Sequence, residues 1–455
     1  GVAAIGGKDS MSGSFGALDV PPTLVSFALA VGDVKTVLSP EFKRVGAKVA
    51  LLLPEYRADG LPEADLLNCL LEQVYELIAS GKAQSVYAPG AGGIAEAVFK
   101  MGLGNGLGLR FHDSLSLEEL FQPRLGAFVV ELDDSEPIGT PLGETIPERE
   151  LIWRGERIGL DALEIAYDDT LEKVFPTRTS IVDEPRPIPQ TTVFDRAKPR
   201  AKVAGKPRVL IPVFPGTNCE VESARAVERA GAIADVLVLQ TSSAAVMGES
   251  LRAFANRLDR SQALFLPGGF SNGDEPDGSG KFIAAFLRSA AASDALTRLL
   301  DERDGLILGV CNGFQALVKL GLVPYGRILE SARDLPTLTF NAIGRHQSHL
   351  VRTRVVSDRS PWLSLAGAGN IYTMPVSHGE GKFLCPPETL KQLAENGQIA
   401  AQYVDEQGVP SMDVRFNPSG SMEAVEAVTS PDGRILGKMG HSERIGAGLY
   451  KNVPG

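Results

Sequence analysis

Residues Leu306–Gln315 read Leu-Ile-Leu-Gly-Val-Cys-Asn-Gly-Phe-Gln. A short apolar run ends at Gly309-Val310-Cys311-Asn312-Gly313, and a helical pattern follows at once from Phe314 to Leu320. The order predicts a buried strand, a sharp turn and a helix, with Cys311 at the apex. Gly-x-Cys-x-Gly is the form of a nucleophile elbow with a thiol in place of the hydroxyl. Glycine on each side lets the backbone bend tightly without a Cβ clash. At a helix N-terminus, the dipole and free amides are expected to favour thiolate.

Working outward from this elbow, strands alternate with helices. Val209–Phe214, Ala234–Leu239 and Ala263–Leu266 read as strands. Val221–Ala230, Leu251–Leu258 and a long stretch over Phe282–Leu300 read as helices. That alternation implies a doubly wound parallel sheet, whose chemistry belongs at the carboxyl ends of the strands. Two further Gly-rich corners fall at such ends, Pro215-Gly216-Thr217-Asn218 and Pro267-Gly268-Gly269-Phe270. From His349 onward the pattern has more β character.

Upstream, Pro176, Pro185, Pro187, Pro189, Pro199 and Pro207 punctuate a polar, basic segment that reads as an extended linker over 176–206. Before it, Ala47–Leu53, Phe128–Glu131, Leu151–Trp153 and Arg157–Gly159 are predicted strands, and Leu66–Ala79, Ile94–Met101 and Ala162–Phe175 predicted helices, of an α+β region. Cys69 is expected on the core face of its helix. The Gly90–Gly93 cluster and the glycines at 102, 104, 106 and 108 fit phosphate approach and close helix–sheet packing equally well. Residues 1–45 open with Gly6-Gly7-Lys8-Asp9-Ser10-Met11-Ser12-Gly13, a weak phosphate-loop signal without Walker spacing, followed by a strand-like Thr23–Val31.

The 455-residue chain has 44% hydrophobic and 22% charged residues, ordinary for a globular protein with large cores. A net charge of -11 argues against a nucleic-acid footprint. Four cysteines without paired spacing point to a reducing, cytoplasmic setting. No apolar run has the length of a membrane span. Because the chain starts with Gly1 inside a motif, it is expected to be part of something longer.

A cysteine nucleophile needs a base, and the base an orienting group. Of the five histidines, His441 has Glu443 two residues on, which in extended chain puts both side chains on one side. This predicts a Cys311-His441-Glu443 triad, with His378 as runner-up base. Backbone amides of Asn312 and Gly269 are expected to form an oxyanion hole. Gln315, one helical turn after Cys311, together with Phe270 and His378, is expected to contact substrate. Cys219 is the rival thiol, disfavoured by Glu220 and Glu222 beside it.

Together, Leu308–Gln315 and Pro267-Gly268-Gly269-Phe270-Ser271-Asn272-Gly273-Asp274 resemble the class I (triad) glutamine amidotransferases. With Pro215–Glu220, Ser377–Gly381 and Asn417–Ser421, they look more narrowly like the glutaminase domain of the phosphoribosylformylglycinamidine synthase family. Gly7–Ser12 is similar to the second half of that family's duplicated ATP-binding synthetase domain. The resemblance implies a flavodoxin-like α/β glutaminase over 207–455. It also implies an α+β synthetase half, with the end of one subdomain at 1–45 and a second at 46–175. It implies glutamine hydrolysis at Cys311, and ammonia passing to an ATP-dependent amination of formylglycinamide ribonucleotide. ATP and Mg would serve the complete enzyme, with Lys8, Asp9 and Ser10 near nucleotide; the glutaminase half-reaction would need no cofactor. The partner would be the missing N-terminal part, on this polypeptide or another, with no nucleic acid and no membrane. Three departures stand out. The family's His-Pro-Glu reads His441-Ser442-Glu443, and its acidic Asp-Gly-Gly and Asn-Glu-Glu segments read Ala91-Gly92-Gly93 and Gln122-Pro123-Arg124. Loss of those carboxylates predicts that this half does not hold catalytic magnesium in the usual way. A silent glutamine-binding module and a cysteine hydrolase on the same fold are the alternatives.

Overall fold

The computed structural model describes residues 13–20, 27–133, 138–179, 205–273, 279–330, 332 and 334–450. The chain divides into two compact units, Gly1–Thr170 and Leu171–Gly455. Among the described residues, no helix is long and apolar enough to cross a membrane.

In the first unit, period-two alternation along Lys48–Leu52 decides the packing. Val49 and Leu51 join the core that includes Ile94, Val98 and Met101 of helix Gly93–Leu103. Ala50 and Leu52 join the core that includes Leu70, Val74 and Leu77 of helix Ala64–Ala79. The strand lies inside a seven-stranded sheet, ordered Ala83–Tyr87, Phe128–Leu132, Lys48–Leu52, Thr140–Ile146, Gly108–Phe111, Glu150–Trp153, Glu156–Gly159.

Several expectations need correction here. Cys69 is exposed, because the buried stripe runs through positions 70, 74 and 77 and residue 69 lies about 100° round the helix from it. Phe27–Val31 forms no strand, and Phe27, Leu29 and Val31 are exposed. The last helix covers only Leu160–Asp169. At the Gly90–Gly93 corner, Glu96 settles how the glycines are used: its carboxylate accepts the Gly92 N–H at 2.7 Å and pairs with Lys100 at 2.5 Å. A Cβ at Gly93 would meet the Gln122 carbonyl at 2.7 Å, so these glycines serve close packing.

In the second unit, β1 (Arg208–Val213), β2 (Ile233–Val238), β3 (Ala263–Leu266) and β4 (Leu306–Val310) are followed by β5 (Gln347–Val355), β6 (Ile371–His378), β7 (Ile399–Val404), β8 (Val425–Thr429) and β9 (Ile435–Lys438). They form one sheet ordered β2-β1-β3-β4-β9-β8-β7-β5-β6. The first five are parallel and carry the doubly wound 2-1-3-4-5 order of flavodoxin-like folds; antiparallel pairing continues from β9 to β6. β3 and β4 are apolar because helices cover them. Phe282–Leu300, read as one helical stretch, breaks at Ser289 into Lys281–Leu287 and Ala290–Thr297, and a π-turn follows at Arg298–Glu302. Ser289 adopts extended backbone there, and its hydroxyl donates to the Phe286 carbonyl at 2.7 Å.

What this order does for the site is specific. β9 enters the sheet more than a hundred residues after β4, yet lies beside it in parallel register. The segment leaving β9, which contains His441, therefore emerges next to the turn that leaves β4.

Candidate active site

Cys311 joins β4 to the helix Asn312–Leu320 with φ 52° and ψ -105°. A non-glycine residue at such dihedrals is strained and is held there by its surroundings. Two main-chain bonds hold it: its N–H donates to the Lys438 carbonyl on β9 at 2.8 Å, and its carbonyl accepts from Gln315 at 3.0 Å. Gly313 admits the following helix, since a Cβ there would collide with the Leu266 carbonyl of β3.

The thiol is 5% exposed and burial pushes it up to about 12, with Cys219 and Glu443 adding to the rise. The Asn312 N–H facing the sulfur acts the other way. The amide at the helix terminus thus favours thiolate, but desolvation outweighs it, and the sulfur needs a base.

The expected base, His441, lies in the same region. His441 Nδ1 lies 2.6 Å from Glu443 Oε1, both side chains are buried, and the His441 N–H donates to the Pro375 carbonyl at 2.8 Å. Among the described residues, His441 Nε2 has no hydrogen-bond partner. With Nδ1–H donated to the carboxylate, Nε2 carries the free lone pair. Gly268 marks how close His441 and Cys311 stand: a Cβ there would be 2.7 Å from His441 Cε1, 3.4 Å from Cys311 Cβ and 3.1 Å from Cys219 Sγ.

Cys219 thus shares the chamber. It begins the helix Glu220–Arg229, its Sγ lies 3.9 Å from His441 Nδ1, and Arg444 Nη2 donates to that sulfur at 3.0 Å. Burial raises this thiol too, against the pull of Arg444. The ring nitrogen it approaches, Nδ1, is the one that also meets Glu443. The donor atoms of Cys219, His441 and Glu443 lie within 4.8 Å of one another, a spacing that could hold a metal ion. The Arg444 guanidinium beside the sulfur puts fixed positive charge where a cation would lie.

The other expected residues spread around this centre. Gly269 has φ 145° and packs against Gly216 and Thr217, where a Cβ would stand 2.7 Å from the Gly216 carbonyl. The Asn312 side chain accepts from the Ser271 N–H at 3.3 Å and donates to Gln315 Oε1 at 3.0 Å. Gln315 in turn donates to the Glu380 carbonyl at 2.5 Å, so its amide joins the elbow helix to the Ser377–Gly381 loop. Phe270 is 45% exposed, its ring 6.5 Å from that of His346. His378 is buried, meets Asn341 Oδ1 at 3.1 Å, and is pushed down to about 3 by burial, with His346, His441 and His349 adding to it. It has an amide rather than a carboxylate partner and is held neutral. Lys8, Asp9 and Ser10 lie outside the described residues.

Sequence reading missed Gly268, Arg444 and the Asn341 partner of His378. Arg444 follows Glu443 directly, so its proximity was available; that it points at Cys219 was not.

A family model for the CobB/CobQ-like glutamine amidotransferase domain matches residues 206–455. The chain is 35% identical over 239 residues to the phosphoribosylformylglycinamidine synthase subunit PurQ of Rubrobacter xylanophilus, covering 52% of this chain and 89% of that protein. It is 32% identical over 239 residues to PurQ of Methanococcus maripaludis, covering 52% and 82%. A solved structure of PurLQS from Thermotoga maritima matches with 26% identity and a TM-score of 0.38, covering 52% of this chain and 89% of that one.

Proposed function

The chain belongs to the CobB/CobQ-like glutamine amidotransferase family, and from that membership we propose that it hydrolyses glutamine with a Cys311-His441-Glu443 triad and supplies the ammonia for amination of formylglycinamide ribonucleotide in purine synthesis. One observation carries the triad: a strained, buried cysteine at the end of β4 beside a 2.6 Å imidazole–carboxylate pair at the end of β9. His441 Nε2 takes the Cys311 proton as the sulfur attacks the side-chain amide carbon of glutamine. The developing oxyanion is met by the Asn312 and Gly269 amides. His441 then returns the proton to the departing nitrogen, ammonia leaves, and a glutamyl thioester remains. Water, deprotonated by the same nitrogen, attacks the thioester; glutamate leaves and the thiol is restored. Phe270, exposed beside His346, is suited to line the substrate entrance.

The synthetase step is proposed from the PurQ relatives and belongs to an ATP-using partner or neighbouring domain. The Gly92 corner does not fit a phosphate, because the Glu96 carboxylate already takes its amide. The experiment is glutamate release from glutamine by the wild-type chain and by Cys311→Ala, with and without an added synthetase partner, ATP and formylglycinamide ribonucleotide. The expected result is release that vanishes in C311A. Release that survives in C311A contradicts the reading.

A further inference from the structure

Behind the elbow lies a buried charge pair that the glutaminase chemistry does not consume. Lys438 ends β9 and Glu426 lies on the neighbouring antiparallel strand β8, with Nζ 3.8 Å from Oε1 and both residues buried. A buried ion pair is weak evidence for stability, because desolvation offsets the attraction. What this pair grips is more informative.

Glu426 Oε1 accepts the Gly440 N–H at 2.8 Å, and Lys438 Nζ donates to the Gly440 carbonyl at 2.9 Å. Both polar groups of the residue before His441 are thus held by charged partners. Nζ also reaches Ser442 Oγ at 3.5 Å, so the ammonium touches the residues on either side of His441. Gly440 has no spare room: a Cβ there would collide with Met374 Sδ and stand 3.1 Å from Glu426 Oε1. Meanwhile the Lys438 carbonyl accepts the Cys311 N–H. The main chain of Lys438 anchors the nucleophile and its side chain anchors the base.

We propose that Lys438 and Glu426 are positioning residues for glutamine hydrolysis: they clamp the Gly440 peptide and so fix the aim of His441 Nε2 at the Cys311 sulfur. This rests on the triad reading above. Charge-assisted hydrogen bonds are short and directional, which suits a clamp. Misplacing a catalytic group by about 1 Å can cost about 100-fold in rate.

The test uses the full chain and four variants, Lys438→Met, Lys438→Arg, Glu426→Gln and the double K438M/E426Q. Readouts are kcat, KM, the pH profile of kcat, and the rate at which a glutamine-like electrophile labels Cys311, with thermal melting alongside. K438M should lower kcat about 100-fold with KM changed less than about threefold, slow labelling in parallel, and move the pH profile. E426Q keeps an acceptor for Gly440 and should lose less; K438R should recover part of the rate. The double variant should be no worse than K438M, because the two residues act as one unit. If K438M does not fold, E426Q carries the same comparison. Folded K438M or E426Q with kcat within twofold of wild type and an unmoved pH profile overturns the clamp while leaving the triad standing. A wild-type chain that neither hydrolyses glutamine nor is labelled at Cys311 overturns the triad reading and the clamp with it.

Discussion

At the scale of single residues, environment decides the chemistry. Burial holds Cys311 as thiol, and in the proposed triad its reactivity at neutral pH depends on His441. His441→Gln is therefore expected to be labelled by a glutamine-like electrophile far more slowly at pH 7 than wild type, and to recover steadily as pH rises toward 10. Labelling rates across pH, with peptide mapping, check this; equal rates at pH 7 contradict it. His378 makes the opposite use of burial. Its folded value near 3 lies below the unfolded value near 6.5. The unfolded chain takes up the proton first, so stability is unaffected above about pH 6.5 and falls as pH drops from there toward 3, by about 1.4 kcal/mol per pH unit. His378→Asn places an amide N–H near the position of Nδ1 and has no titrating ring. Urea unfolding at pH 7.5 and 5.0 should show a smaller acid loss in H378N than in wild type; an equal loss contradicts it.

At the scale of elements, the strand–turn–helix around Cys311 was legible because three signals agree: an apolar run, glycines flanking the thiol, and helical spacing after it. The parallel strands were legible for the same reason of buried apolar runs. Cys69 and the Phe282–Leu300 stretch were misread because helical periodicity alone sets neither the centre of a buried stripe nor a break at a serine with an extended backbone. The elbow helix is the element on which the site depends most. Phe314 is 1% exposed, and a Cβ at Gly437 of β9 would collide with its ring, so this side chain fixes the distance from helix to strand. Phe314→Ala should destabilise the second unit by about 3–5 kcal/mol. Trp362, whose Nε1 donates to the Ile307 carbonyl at 3.1 Å, reports on this sheet. Urea unfolding followed by Trp362 fluorescence in a Trp153→Phe background checks the value, and a loss under 1 kcal/mol contradicts the packing argument.

At the scale of the whole molecule, what brings the residues of the proposed triad together is strand order, which the sequence does not display. Cys311 and His441 are 130 positions apart in sequence, and only the insertion of β9 beside β4 makes them neighbours. The same order brings the Gly268 corner after β3 and Cys219 after β1 up to the same pair. Residue types and spacing could therefore nominate the members of the proposed triad and a rival thiol, but not that Cys219 would approach Nδ1. Cys219 lies 3.9 Å from Nδ1, the nitrogen that meets Glu443, whereas the proposed nucleophile is Cys311 at the apex of the strained elbow. The most direct test is to label the wild-type chain with a glutamine-like electrophile at pH 7 and map the modified peptides by mass spectrometry, with Cys219→Ala and Cys311→Ala in parallel. The account predicts one label per chain on Cys311, retained in C219A and absent in C311A; a label on Cys219, or no label in the wild type, contradicts it.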